Sequence, residues 1–119
     1  EQAMCFEVES NKKLTANKNI TCYKILEVVD EDSGMLLSSH REYVYFLGEL
    51  NKLNKKLSID GRGYYQAIHD GFHSYRNRNT IVYSKNIIIF QCTIPKGTKY
   101  YKNSMEYVSD AIIINKRIN

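Results

Sequence analysis

The sequence predicts a single α+β domain, residues 1–119, built on a mixed or mostly antiparallel sheet of about five or six strands with one or two short helices. The chain has 119 residues, of which 43% are hydrophobic and 25% charged, as is typical of one globular domain. Two segments, residues 87–94 and 111–118, each begin with four consecutive apolar residues, which indicates strands covered on both faces. A third segment, residues 46–57, carries leucines at helical spacing.

The amino-terminal half is predicted to begin with strands. Residues 4–8 alternate along the chain with a period of two, as a half-buried strand does. Residues 20–29 are rich in β-branched and aromatic side chains and run into residues 30–34, an acidic segment ending in glycine that favours a turn. We therefore expect a hairpin whose return arm covers residues 35–37 and resumes over residues 42–47.

Two short helices are predicted in the middle of the chain. One covers residues 46–57, although Gly48 lowers the stability of such a helix by about 1 kcal/mol. The other passes through residues 81–83. The first rests on leucines three and four residues apart, namely Leu47, Leu50, Leu53 and Leu57.

The carboxyl-terminal half is predicted to hold the centre of the sheet. Residues 60–63 contain two glycines and form the clearest turn in the chain. Residues 87–94 are the strongest predicted strand, and residues 95–97 end it. Residues 98–101 and 111–118 then supply two further strands, the last of which places the carboxyl terminus inside the fold.

Charge and hydropathy exclude few partners. A net charge of +4 permits binding to nucleic acid or anions without requiring it. The longest run of hydrophobic residues is five, at residues 43–47, against the roughly 20 that a membrane span needs. We expect no membrane partner, and the oligomeric state is open.

The three cysteines, Cys5, Cys22 and Cys92, predict a reducing, cytoplasmic compartment. They are odd in number, widely separated and without a CxxC arrangement, so neither a disulfide framework nor a zinc site follows. Cys22 and Cys92 lie in apolar segments, where a thiol behaves as a small buried hydrophobe. The alternative is a single inter-strand disulfide.

No motif specifies a reaction, so we assign no catalytic residue. The sequence contains no P-loop, GxSxG or GxGxxG pattern. His69 and His73 have the spacing of a helical metal site, but Gly71 between them disfavours the helix. We expect neither a metal nor a cofactor.

Ten tyrosines and no tryptophan suggest a contact surface. Several come in close pairs, and their rings could stack bases while nearby cations hold phosphate. The alternative is that these tyrosines pack at the edges of the core. The paired tyrosines are Tyr43 with Tyr45, Tyr64 with Tyr65 and Tyr100 with Tyr101, and the cations are Arg62, Arg76, Arg78, Lys96 and Lys99.

The binding surface is predicted between the glycine-rich turn and the following polar loop, because binding residues concentrate on loops held by a rigid scaffold. If Phe72 anchors a strand in the core, alternation turns His73 and Tyr75 together onto the other face. In the alternative, His73 only bonds a backbone carbonyl. The predicted ligand-binding residues are Arg62, Tyr64, Tyr65, His69, His73, Tyr75, Arg76 and Arg78.

Several segments together resemble a family of small proteins from gut Bacteroidetes and tailed phages. The resemblance covers about residues 20–118 and implies a bacterial or phage origin, and the family brings no assigned activity. It is carried by CYKILE at 22–27, YFLGEL at 45–50, GFHSY at 71–75, IIIFQCTIPKGTKYY at 87–101 and YVSDAIII at 107–114.

A weaker resemblance is to ADP-ribosyltransferase-like domains. It implies that His73 binds the NAD ribose, that Tyr100 or Tyr101 clasps nicotinamide, and that Glu106 polarises the glycosidic bond. These residues occur in that order in the chain.

These observations favour a small non-enzymatic binding or regulatory module of phage or mobile-element origin. It would recognise a host protein or a nucleotide-like ligand through a Tyr/Arg/His surface. Two alternatives stay open, an ADP-ribosyltransferase-like enzyme using NAD and a nucleic-acid-binding protein.

Overall fold

Strands form almost all the regular structure in the computed structural model, which describes residues 6–7, 12–38, 43–58, 67–68, 71–82 and 86–119. Ten of the described strands belong to one extended sheet, and β1 and β7 form a separate pair. The strands are β1 (Phe6–Glu7), β2 (Leu14–Thr15), β3 (Ile20–Asp30), β4 (Met35–Ser38), β5 (Val44–Phe46), β6 (Leu50–Lys52), β7 (Ala67–Ile68), β8 (Phe72–Tyr75), β9 (Ile89–Ile94), β10 (Lys99–Lys102), β11 (Glu106–Ser109) and β12 (Ala111–Arg117).

The predicted α+β class is therefore wrong: the domain is nearly all sheet, with more strands than the five or six expected. Where a helix was predicted over residues 46–57, Gly48 adopts a φ of +79° and the chain enters β6. The second predicted helix is also wrong in its described part, because Ile81 is extended after a single 3-10 turn, Arg78–Thr80. Tyr83, the last residue of that predicted helix, lies outside the described residues.

Five segments of the sheet close into a hydrogen-bonded ring. The long strand β3 pairs with β9 over Ile20–Ile25 and with β4 over Leu26–Asp30. β4 continues to β5, and β9 continues to β12, each in antiparallel pairing. A parallel bridge between Leu47 and Ile114, with the Gly48 N–H donating to the Ile114 carbonyl at 2.8 Å, joins the end of β5 to β12.

The main core lies inside this ring. Because side chains alternate between the faces of a strand, every second residue of β3, β9 and β12 points inward. Tyr45 of β5 is the largest fully buried side chain among the residues that the structure describes. The inward-facing core residues are Cys22, Leu26, Leu36, Tyr45, Phe90, Cys92, Ile94, Ile112 and Ile114.

Four further strands extend the sheet from the free edge of β3. β8 pairs with β3 at Tyr75 and Tyr23, and β11, β10 and β2 follow in antiparallel order. We call these four strands the wing. β9 pairs with one edge of β3 as far as Leu26. The other edge of β3 pairs first with β8 and then with β4.

Lys24 of β3 contacts both the wing and the core. It is only 6% exposed, its Nζ donates to the His73 carbonyl of β8, and it lies 5.0 Å from the ring centroid of Tyr45.

The overall dimensions fit one folded domain. The Cα radius of gyration is 13.7 Å, close to the value of about 13.5 Å expected for a single domain of this length. None of the helical structure in the described part of the chain is long and apolar enough to cross a lipid bilayer.

Candidate ligand-binding surface

The structure places half of the predicted binding residues. Arg62, Tyr64, Tyr65 and His69 lie outside the described residues. The remaining four, His73, Tyr75, Arg76 and Arg78, lie on β8 and in the segment that follows it.

β8 shows the alternation expected from its sequence. Phe72 and Ser74 are buried on one face, whereas His73 and Tyr75 are half-buried on the other. Phe72 anchors the strand by packing against the rings of Tyr43 and Tyr45, at centroid distances of 5.5 and 5.7 Å. His73 and Tyr75 therefore share one face of the sheet.

That face carries a row of polar and aromatic side chains, since residues directly opposite each other in antiparallel strands lie on the same face. Tyr75 stands opposite Tyr23 of β3 on one side and opposite Glu106 of β11 on the other. Tyr23 in turn stands opposite Gln91 of β9. His73 precedes Tyr75 by two residues on β8 and stands opposite Val108 of β11, which is fully buried.

Arg76 lies on the opposite face from His73 and Tyr75. Its guanidinium is 5.5 Å from the ring centroid of Tyr107, which stands opposite the inward-facing Ser74. Its Nη1 donates to the Asn103 carbonyl at 2.7 Å. Arg78 is exposed in the 3-10 turn. The described part of the predicted surface is thus divided between two faces of the wing.

The face that holds Arg76 also holds a cluster of tyrosines and a lysine. The rings of Tyr100 and Tyr107 meet edge to face, with centroids 5.7 Å apart and planes at 82°. Lys102 is exposed and stands directly opposite Tyr107. Both tyrosines are half-buried and pack on the core at one side. We call Arg76, Tyr100, Lys102 and Tyr107 the tyrosine–arginine cluster.

The turn between β10 and β11 holds this cluster in place. The side-chain Oδ1 of Asn103 accepts from the backbone N–H groups of Met105 and Glu106, at 2.9 and 2.7 Å. The backbone N–H of Arg76 donates to the Met105 carbonyl at 2.9 Å. With the Arg76 guanidinium also bonded to Asn103, the geometry of the cluster is set before any ligand arrives.

The tyrosine pair at 100 and 101 is split between the two faces. Tyr101 is buried on the face opposite Tyr100, with Lys13 Nζ 5.9 Å from its ring centroid. Burial raises the pKa of the Tyr101 hydroxyl. Lys99 donates to the Thr15 hydroxyl at 2.6 Å on the edge of the wing. Tyr101 therefore packs into the core, as the alternative to a contact surface predicted.

Sequence reasoning did not include Tyr107 or Lys102 in the site. Tyr107 directly precedes an apolar segment, and nothing in the sequence indicates the face on which its ring lies. That face follows from its position opposite Ser74 in the β8–β11 register. The partnership of Lys102 with Tyr107 follows only from the β10–β11 register.

In the described ranges, no three histidine, cysteine, aspartate or glutamate side chains gather in a group that could hold a metal ion.

Comparisons with protein-family models, with curated proteins and with solved structures find no match to this chain. The resemblance to proteins of gut Bacteroidetes and tailed phages therefore stays a prediction.

Proposed function

We propose that this protein is a non-enzymatic binding module that recognises a nucleotide-like ligand through the tyrosine–arginine cluster. The observation that supports the proposal is the presence of two half-buried tyrosine rings beside an arginine and a lysine on one face of the wing. A cytoplasmic location and a phage or mobile-element origin belong to the same proposal.

The chemistry of the cluster suits a planar, anionic ligand. A tyrosine ring offers a face on which a base can stack, worth about 1–3 kcal/mol per base. An arginine presents five N–H donors in a planar fork that matches a phosphate. Arg76 gives one of these donors to Asn103, which orients the group and leaves further donors for a ligand. Lys102, exposed beside Tyr107, adds a second positive charge.

The test is equilibrium binding of fluorescently labelled ATP and of a labelled single-stranded 12-mer, followed by anisotropy at several salt concentrations. We expect Tyr107→Ala to weaken binding by about tenfold, because it removes the stacking ring. Lys102→Ala should weaken binding and lower the salt dependence by about one phosphate contact. The matched control is Tyr23→Ala, which removes a half-buried tyrosine from the opposite face and should leave affinity unchanged.

The outcomes separate the candidate partners. Binding of ATP that Tyr107→Ala weakens and Tyr23→Ala does not supports the proposal. Preference for the 12-mer with a steep loss of affinity in salt would instead make the protein a nucleic-acid-binding module. No binding of either probe by the unmodified protein would reject both, and a host protein would then be the remaining class of partner.

A second candidate, an NAD-dependent ADP-ribosyltransferase, is favoured by one observation. His73 of β8 and Glu106 of β11 lie on the same face of the wing, and Tyr101 of β10 lies on that face too, opposite Val108, the residue that pairs with His73. Incubation with labelled NAD and a bacterial lysate tests it. Label transfer that Glu106→Gln abolishes would place this activity ahead of the binding module, and we expect no such transfer.

A further inference from the structure

Cys22 and Cys92 face each other inside the ring of strands. They are directly opposed in the antiparallel register of β3 and β9. Both are free thiols and both are 0% exposed. Because directly opposed residues share a face, the two side chains point to the same side of the sheet.

The register also indicates how far apart their Cα atoms are. The Leu26 N–H donates to the Ile88 carbonyl at 3.1 Å, so Leu26 and Ile88 form a hydrogen-bonded pair. Hydrogen-bonded and non-hydrogen-bonded pairs alternate along an antiparallel ladder. Cys22 precedes Leu26 by four residues, so Cys22 and Cys92 are also a hydrogen-bonded pair. Such pairs have a Cα separation of about 5.5 Å. Disulfides span about 4.4–6.8 Å between Cα atoms, so the Cα separation of this pair permits a bridge. Directly opposed Cβ atoms lie about 4.5–5.5 Å apart, against about 3.5–4.5 Å in a relaxed disulfide, so closure must draw the two strands slightly together.

The surroundings make the two thiols unequal. The interaction with Cys92 and the Lys24 ammonium lower the pKa of Cys22, against the opposing effect of burial. The interaction with Cys22 and burial raise the pKa of Cys92. Cys22 is taken as the attacking thiol, because Lys24 follows it by two residues on the same face of β3 and its ammonium lowers the pKa of Cys22.

We propose that Cys22 and Cys92 are a redox pair that a low-molecular-weight disulfide, such as glutathione disulfide, converts into a cross-strand disulfide within the native fold. Glutathione keeps the pair reduced in a reducing compartment, and a more oxidising environment closes the bridge.

The exchange balances without any other reactant. The Cys22 thiolate attacks one sulfur of glutathione disulfide, the disulfide bond breaks, and one glutathione thiolate leaves. The Cys92 thiolate then attacks the Cys22 sulfur of the mixed disulfide and expels the second glutathione. Two protein thiols are oxidised, one glutathione disulfide is reduced to two glutathiones, and the thiol protons pass to them.

The location of the pair sets the rate and the effect of closure. Since neither sulfur is exposed, the reagent reaches Cys22 only when β3 and β9 separate transiently, so closure should be slow. The bridge would tie two points of the chain about 70 residues apart and restrict the unfolded state. A rise in Tm of about 10 °C is expected for a loop of this length in a domain of this size.

The experiment uses the full chain with Cys5→Ser, which leaves only the two opposed thiols. The protein is equilibrated in a series of glutathione and glutathione disulfide mixtures, starting once from native reduced protein and once from urea. Intact mass, peptide mapping and thermal unfolding are then measured. We expect both starting points to reach a Cys22–Cys92 linked protein with native circular dichroism and a raised Tm, reversed by dithiothreitol.

Three results would overturn the proposal: no linked peptide at the most oxidising ratio, stable mixed disulfides with glutathione instead of the bridge, or a linked protein without the native spectrum. Cys92→Ala in the same background is the matched variant, whose Tm should not respond to the redox ratio. If that variant does not fold, the linked peptide and the Tm of the Cys5→Ser protein still decide the outcome.

Discussion

At the scale of single residues, Gly71 joins the wing to the rest of the core. Its φ is +123°, a conformation that side-chain-bearing residues rarely adopt. A Cβ at this position would lie 2.7 Å from Leu57 Cδ1 and 2.8 Å from Val108 Cγ2. Both the backbone conformation and the space therefore require glycine immediately before β8.

We expect Gly71→Ala to lower the free energy of unfolding by about 2–5 kcal/mol, since backbone strain and overpacking add. The matched control is Gly97→Ala, because Gly97 also has a positive φ, +92°, but has nothing within 4 Å of its Cβ position. That change should cost only the backbone strain, about 1–2 kcal/mol. Urea unfolding of the two variants measures the difference, and equal losses would show that Leu57 and Val108 do not constrain the site.

Lys24 links β3 to β8, and no local pattern in the sequence predicts this contact. It is a charged residue in a strand rich in β-branched and aromatic side chains, and it is buried. Its Nζ donates to the His73 carbonyl, close to the point where β3 changes its partner from β8 to β4. Burial of a charged group is tolerated only where such partners exist, and these come from β8, some 50 residues along the chain.

At the scale of secondary-structure elements, β9 and β12 confirm the prediction of two strands in the centre of the sheet, but β9 begins at Ile89, and Ile87 and Ile88 are half-buried ahead of it. Both strands have a neighbouring strand on each side. The expectation that β12 is covered on both faces holds only in part. Ile112 and Ile114 are fully buried, whereas Ile113 is half-buried and stands opposite Leu50, which is 56% exposed.

This difference between the faces of β12 predicts unequal effects of truncation. Ile114→Ala should lower the free energy of unfolding by about 2–5 kcal/mol, because it leaves a cavity inside the ring. Ile113→Ala should cost about 1 kcal/mol, since the side chain keeps part of its contact with water in the folded protein. Urea melts of both variants test this, and a loss at Ile113 equal to that at Ile114 would mean that the outer face is also closed.

The segment 46–57 explains why a helical pattern failed. Its leucines are spaced for a helix, but Leu50 is paired with Ile113 in a strand, and Leu53 and Leu57 are buried after the strand has ended. The Leu53 N–H donates to the Asp110 carbonyl at 2.8 Å, so a bond to a distant segment replaces the local helical one. Only Leu53 and Leu57 of the four leucines are buried, since Leu47 and Leu50 are 42% and 56% exposed. The helical spacing of the apolar residues therefore predicted neither the structure of this segment nor its buried face.

At the scale of the whole molecule, the ring depends on contacts between distant parts of the chain. It is closed by Leu47 and Ile114, which come from opposite halves of the sequence. Very short strands such as β2 and β6 complete the sheet although two or three residues are too few to show a period. These strands exist because an edge of the sheet was available to pair with them, which accounts for the low number of strands predicted.

The sequence by itself determined the buried centre of this protein and the two-sided character of β8. Apolar runs marked β9 and β12, and alternation around Phe72 placed His73 and Tyr75 on one face. Only the tertiary structure decided the all-strand class, the opposition of Cys22 and Cys92, and the grouping of Arg76 with Tyr107. The physical reason is that alternation and apolar runs are local properties of the chain, whereas register is set by which strands meet, and that choice minimises the free energy of the whole sheet.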